Sequence, residues 1–153
     1  MPTASLLDFK VGPPLGHGRH GTTFSATWKG EIVAVKVFDT QKNKGMEFFV
    51  REIKAYEHLK EAWGTLVPTP KFTAEAFGVI FLGMQMAERP SQTARVEDWD
   101  YTLLELEKKY GFRHLDVDGF GRGPGFHNRM ILRDGTGLAR QIVIDQEGYE
   151  LVE

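Results

Sequence analysis

Residues 16–36 of the chain are GHGRHGTTFSATWKGEIVAVK, and this stretch decides the predicted fold of its first half. From Phe24 onward polar and apolar side chains alternate, and β-branched and aromatic residues are frequent, as in β-strands. Lys29-Gly30 interrupts the alternation where a two-residue hairpin turn fits. We therefore predict two antiparallel strands joined at Lys29-Gly30, with a glycine-rich segment leading into the first.

The flanking segments extend this hairpin to a sheet with a helix. From 44 to 62 apolar residues recur every three or four positions, which predicts an amphipathic helix. Strands are predicted at 71–76 and 79–86, with a turn at Phe77-Gly78. The predicted apolar stripe of the helix consists of Met46, Phe49, Val50, Ile53, Tyr56 and Leu59.

The second half is predicted to be smaller and mixed. A polar connector at 88–97 precedes a helix at 98–110, which Gly111 ends. Residues 117–127 hold four glycines and a proline and predict a loop, and short strands follow at 130–133 and 141–144. The apolar stripe of this second helix consists of Trp99, Leu103, Leu106 and Tyr110.

Composition limits the classes of function. The chain has 153 residues, which suits one domain or two small lobes. Its net charge of −2 argues against a nucleic-acid binder that depends on bulk positive charge. The chain contains no cysteine, which excludes disulfides and thiolate chemistry. Neither a secretion signal nor a membrane-spanning run is visible, so we expect a soluble cytoplasmic or nuclear protein with no membrane partner.

Two motifs at the start of the chain suggest phosphate binding. Gly16, Gly18 and Gly21 form a GxGxxG pattern, in which backbone N–H groups can approach phosphate oxygens. The alternative is a plain glycine-rich hairpin. Lys36 ends the apolar run VAVK, where an ammonium group facing inward requires a partner. The alternative is a lysine at the sheet edge that faces solvent.

Three further polar residues follow at positions that suit nucleotide chemistry. Glu52 lies beside the apolar stripe of the first helix, within reach of a strand lysine, or else at a solvated boundary. Asp145 follows the strand at 141–144 and Asn128 precedes the strand at 130–133. Their oxygens are ligands that Mg²⁺ prefers, although Asp and Asn are also common turn residues.

The order of these features resembles the protein kinase-like superfamily. That family has the same features in the same order along the chain: a glycine loop, VAVK on the next hairpin, a helix glutamate, an asparagine before one strand and an aspartate after the next. The match covers about residues 8–88 and, more loosely, 98–147. It is closest to the short, degenerate kinase-like proteins of fungi.

The resemblance implies a kinase-like α+β fold and an ATP site with Mg²⁺ between two lobes. The lobes are an N-lobe at 1–88, a hinge or connector at 89–97 and a reduced C-lobe at 98–153. Met84 corresponds to the gatekeeper position. The resemblance implies that Gly16, Gly18 and Gly21 cover the phosphates, and that Lys36 binds the phosphates and pairs with Glu52. It implies that Ala34 lies against adenine and that Met86 and Glu88 belong to the hinge. It also implies that Asn128 and Asp145 bind Mg²⁺.

The catalytic parts depart from the family pattern. His114-Leu115-Asp116 resembles the start of the catalytic loop, which implies Asp116 as the base, with Asp118 as the alternative. However, Gly123 stands five residues before Asn128, where the family has aspartate. Asp145-Gln146-Glu147 replaces Asp-Phe-Gly, and no activation segment follows.

We therefore expect a pseudokinase-like ATP-binding module with weak or absent phosphoryl transfer. The alternatives are a small active phosphotransferase that uses Asp116 and a scaffold that binds no nucleotide. An apolar stripe of this kind on the second helix is expected to be covered by other protein. The alternatives are the loop at 117–127, a protein partner and a second copy of the chain.

Overall fold

The structure is a computed structural model that describes residues 1–18, 21–42, 44–87, 96–114, 129–133, 139–143 and 149–152. Two helices are present, α1 (Gly45–His58) and α2 (Val96–Tyr110), and a 3₁₀ turn at Lys60–Ala62 follows α1. The strands are β1 (Phe9–Gly18), β2 (Gly21–Trp28), β3 (Glu31–Asp39), β4 (Pro70–Ala76), β5 (Val79–Gln85), β6 (Phe112–His114), β7 (Arg129–Arg133), β8 (Ala139–Val143) and β9 (Tyr149–Leu151).

The first five strands form one antiparallel sheet in the order β1-β2-β3-β5-β4. This sheet and the two helices confirm the predicted α+β class. Both predicted two-residue turns are present, and their residues have positive φ: 50° and 77° at Lys29-Gly30, and 54° and 77° at Phe77-Gly78. Two successive positive φ values are typical of the type I′ turn, whose twist matches that of antiparallel strands.

The chain divides into two compact units. The first contains Met1–Ile53 and Thr69–Met86, which includes the five-stranded sheet and the first part of α1. The second contains Lys54–Pro68 and Ala87–Glu153. Residues 54–68 thus belong to the second unit.

One face of the sheet carries an aromatic core. Phe72 is fully buried, and its ring centroid lies 5.0 Å from the centroids of both Phe9 and Trp28. Gly83 faces Phe72 across the β4–β5 pair, and a Cβ on Gly83 would overlap the phenyl ring. The glycine is therefore required for this core to close.

Residues 2–4, which we call the N-terminal strap, cover the outer edge of β4. Thr3 pairs with Thr73 in the parallel sense. Ala4 N donates to Thr73 O at 2.7 Å, and Thr73 N donates to Pro2 O at 3.0 Å. The strap thus satisfies backbone groups of Thr73 that an uncovered edge strand would expose.

The face that α1 buries differs from the predicted stripe. Met46 and Val50, which were predicted to face the core, are 45% and 39% exposed. Glu52 is fully buried. Tyr56 and Leu59 of the predicted stripe are fully buried as expected, and Ala55, which was not predicted, is buried with them.

The second unit contains α2 and two short β-pairs. α2 ends at Tyr110 as predicted, since Gly111 adopts a φ of 60° and its N–H bonds to Glu107 O at 2.9 Å. β7 and β8 pair where strands were predicted. β6 and β9 were not predicted, and they pair so that Phe112 lies opposite Leu151.

Arg113 of β6 joins three elements of the second unit. Its guanidinium donates to Glu107 of α2 and to Glu150 of β9, each at 2.7 Å. The hydrogen bond from Arg113 lowers the pKa of the Glu107 carboxyl. The hydrogen bonds to Glu107 and Glu150 raise the pKa of Arg113.

Some predicted segments fall on residues that the structure does not describe. These are most of the connector at 88–97 and the whole loop at 117–127. Among the described residues, neither helix is long and apolar enough to span a bilayer.

Candidate functional site

A buried ion pair joins β3 to α1. Lys36 Nζ lies 2.9 Å from Glu52 Oε2, and the side chains are 6% and 0% exposed. A lysine and a glutamate are each rarely this buried unless they are paired. The structure thus brings together the two residues that the sequence analysis had matched.

Alternation along β3 explains why Lys36 points inward. Val33 and Val35 belong to the aromatic core on one face of the sheet. The residues between and after them, Ala34, Lys36 and Phe38, therefore lie on the opposite face. That face meets α1, because the rings of Phe38 and Phe49 pack edge to face at 5.5 Å.

The burial of this pair has an electrostatic consequence. Taking two charges out of water is unfavourable, and their mutual attraction offsets this only while both partners are present. Loss of either partner would leave an uncompensated charge, which typically destabilises a protein by about 3–5 kcal/mol. The pair is thus a strong constraint on how α1 packs on the sheet.

The glycine-rich segment lies at the tip of the β1–β2 hairpin. Gly18 pairs with Gly21, the last pair of the β1–β2 ladder, and Gly16 pairs with Thr23. Thr23 in turn pairs with Lys36 on β3. Gly16, Thr23 and Lys36 therefore form one cross-strand row, which spans about 10 Å at the usual strand spacing.

The adenine-side residues of the expected site lie on the same sheet. Ala34 pairs with Met84 of β5, and these side chains are 9% and 6% exposed. Met86 directly follows β5 and is half-buried. Ala34, an expected adenine contact, thus lies on the same face of β3 as Lys36, with Met84 beside it on β5.

The other expected site residues lie outside the described part of the chain. They are Asp116, its alternative Asp118, Glu88 of the hinge, and the Mg²⁺ ligands Asn128 and Asp145. Within the described residues, no group of three or more histidine, aspartate or glutamate side chains could hold a metal ion.

Thr40, which directly follows β3, was not among the residues predicted from the sequence. Both its N–H and its hydroxyl donate to the Gly78 carbonyl, at 3.0 and 2.5 Å. The sequence indicates this contact of Thr40 only indirectly. The turn at Phe77-Gly78 was predicted, but pairing of β5 with β3 is needed to bring that turn beside Thr40.

No family model matches the chain, and no curated protein matches it significantly.

Proposed function

We propose that the chain is a kinase-like module that binds ATP and acts mainly through binding, with weak or absent phosphoryl transfer. The observation that carries the proposal is the buried Lys36–Glu52 ion pair, at 2.9 Å, on the strand that follows a glycine-rich hairpin. A buried cation held in this way is one of the two parts that a triphosphate site requires.

The second part is backbone that can approach phosphate oxygens. Gly16 lies in the same cross-strand row as Lys36, two strands away. Glycine has no side chain, so the backbone beside it can approach a ligand closely. The lysine and the hairpin thus supply positive charge and N–H donors on one stretch of sheet, which fits the chemistry of a phosphate chain.

The adenine end of the proposed site uses small and apolar groups. Ala34 lies on the same face as Lys36, two residues earlier on β3, about 7 Å along the strand. A side chain no larger than a methyl group leaves room for a flat ring. Met86, and Glu88 beyond it, follow the neighbouring strand and are proposed to contact adenine.

Magnesium is proposed to accompany ATP, held by the oxygens of Asn128 and Asp145. Mg²⁺ would neutralise phosphate charge. Weak transfer is proposed because Gly123 occupies the place of the family's base, and Gln146 and Glu147 replace its Phe and Gly. Phosphoryl transfer depends on positioning and charge stabilisation, so these losses lower it more than they lower binding.

Calorimetric titration with ATP, with and without Mg²⁺, tests the proposal. We expect wild-type protein to bind ATP and Lys36→Met to lose at least tenfold in affinity. Lys71→Met is the matched control, since Lys71 also forms an ion pair on this sheet, with Glu31 at 3.2 Å, but is more exposed. Circular dichroism verifies that each variant is folded.

Two results would contradict the proposal. Wild-type protein that does not bind millimolar ATP would exclude nucleotide binding and leave a scaffold. Rapid phosphate transfer that Asp116→Asn abolishes, with ATP binding retained, would replace the binding module with an active phosphotransferase.

A further inference from the structure

The connection between β3 and α1 is compact. Lys42 N donates to Asp39 O at 3.3 Å, and Gly45 N donates to Lys42 O at 3.0 Å. Gly45, the first residue of α1, approaches the Asp39 carbonyl so closely that a Cβ would overlap it. The start of α1 is therefore fixed to the end of β3.

A second contact ties this connection to the β4–β5 turn. Thr40 donates twice to the Gly78 carbonyl, from its N–H and from its hydroxyl. The Gln41 side chain also packs against Gly78, where it occupies the space of an added Cβ. Gly78 itself adopts a φ of 77°, in the left-handed region.

We propose that Thr40 is a positioning residue that keeps Glu52 against Lys36. Lys36 lies four residues before Thr40 on β3, and Glu52 lies two turns into α1. The connection at 40–44 is the segment through which the chain passes from one partner to the other. The hydroxyl of Thr40 fixes that segment to the turn and thereby sets where α1 begins.

The inference has a structural part and a functional part. The structural part, that the Thr40 hydroxyl keeps the ion pair closed, concerns the protein without ligand. The functional part, that the closed pair favours ATP binding, rests on the proposed function. One experiment without nucleotide and one with ATP therefore separate the two.

Chemical labelling of lysines measures the ion pair directly. Native protein without nucleotide is treated with acetic anhydride for short times, and labelling of each lysine is followed by peptide mass spectrometry. Lys36 is 4% exposed and paired, so it should react slowly, whereas exposed Lys10 serves as an internal standard. The variants are Thr40→Val, which removes the hydroxyl at similar volume, and Thr40→Ser, which retains it.

We expect Thr40→Val to raise the labelling rate of Lys36 relative to Lys10 by about fivefold, the equivalent of one net hydrogen bond. Thr40→Ser should remain at the wild-type rate. Thr65→Val is the matched control, because the Thr65 hydroxyl donates to Ala62 O at 2.9 Å in the other unit. It should not change the labelling of Lys36.

An unchanged Lys36 rate in Thr40→Val, or an equal rise for Lys36 and Lys10, would overturn the positioning role. The second experiment measures ATP affinity, which Thr40→Val should weaken by a similar factor and Thr40→Ser should preserve. If wild-type protein binds no ATP, the proposed function fails and the labelling result still decides the role of Thr40.

Discussion

Lys36 and Glu52 are two charged side chains that this fold buries as a pair. Both side chains are almost completely removed from solvent and rely on each other. In such pairs the energetic penalty of burial is met by the attraction, so the pair as a whole adds little net stability. Removing one member and removing both are therefore expected to have very different effects.

We predict that Lys36→Met destabilises the protein by about 3–5 kcal/mol, and that adding Glu52→Leu recovers most of this loss. The single variant leaves a buried carboxylate without its cation, whereas the double variant replaces the pair with apolar groups of similar size. Urea denaturation of the two single variants and the double variant measures the coupling free energy.

Lys71→Met is the comparison for these variants, because the ion pair of Lys71 with Glu31 is partly exposed. Its loss should change the free energy of unfolding by less than about 1 kcal/mol. A double variant no more stable than Lys36→Met alone would contradict the prediction and would mean that the pair is needed for packing of α1.

At the scale of elements, Arg113 links α2, β6 and β9 through two carboxylates. The pKa of Glu107 is lowered in the folded protein, because its charged form is the one that accepts the hydrogen bond. A group with a depressed folded pKa stabilises the protein above its unfolded pKa, and this stabilisation is lost as pH falls through the folded pKa.

We therefore predict that Arg113→Gln lowers stability at pH 7 and has little effect in strong acid, where Glu107 is protonated in both proteins. This loss of folding stability is small because Arg113, Glu107 and Glu150 are at the surface. Urea denaturation of wild type and variant from pH 7 to pH 2 measures it. Lys109→Gln, which removes the exposed pair with Glu105, is the control and should show a smaller pH dependence.

A stability difference between wild type and Arg113→Gln that grows as pH falls would have the wrong sign and would exclude this linkage.

The elements also show which parts of the fold are readable from sequence. The two hairpins were predictable because each has alternating residues on both sides of a two-residue turn containing glycine. The buried face of α1 was predicted only in part, because the spacing of apolar residues also placed Met46 and Val50 on it, and these are exposed. β6 and β9 are three residues each, too short for periodicity, and their pairing joins distant parts of the chain.

For the candidate site, sequence order was enough to match Lys36 with Glu52 but not to find Thr40. The ion pair needed only a strand lysine and a helix glutamate at a typical separation. Thr40 acquires its partner through the register of β3 on β5, in which Asp39 pairs with Val79. Register of this kind is set by the whole sheet and is not encoded near Thr40 itself.

At the scale of the whole molecule, the N-terminal strap covers one of the two edges of the sheet, that of β4. β4 is the last strand of the sheet, and Thr73 would expose its N–H and C=O without the strap. Exposed edges promote pairing between molecules. The strap therefore bears on association as well as on stability.

We predict that deletion of residues 1–4 destabilises the protein by about 1–3 kcal/mol, since it removes two backbone hydrogen bonds, and that it promotes self-association. Urea denaturation and light scattering at increasing concentration measure the two effects. Replacing Thr3 by alanine retains the backbone bonds and is the control.

Deletion that leaves both stability and association unchanged would mean that the strap does not protect β4.

The strap also constrains the timing of folding during synthesis. Its residues leave the ribosome well before their partner on β4 is made. At about 5–20 residues per second the strap waits several seconds before β4 exists to receive it. The strap therefore stays unpaired until β4 is made, and β4 meets its edge cover as soon as it emerges.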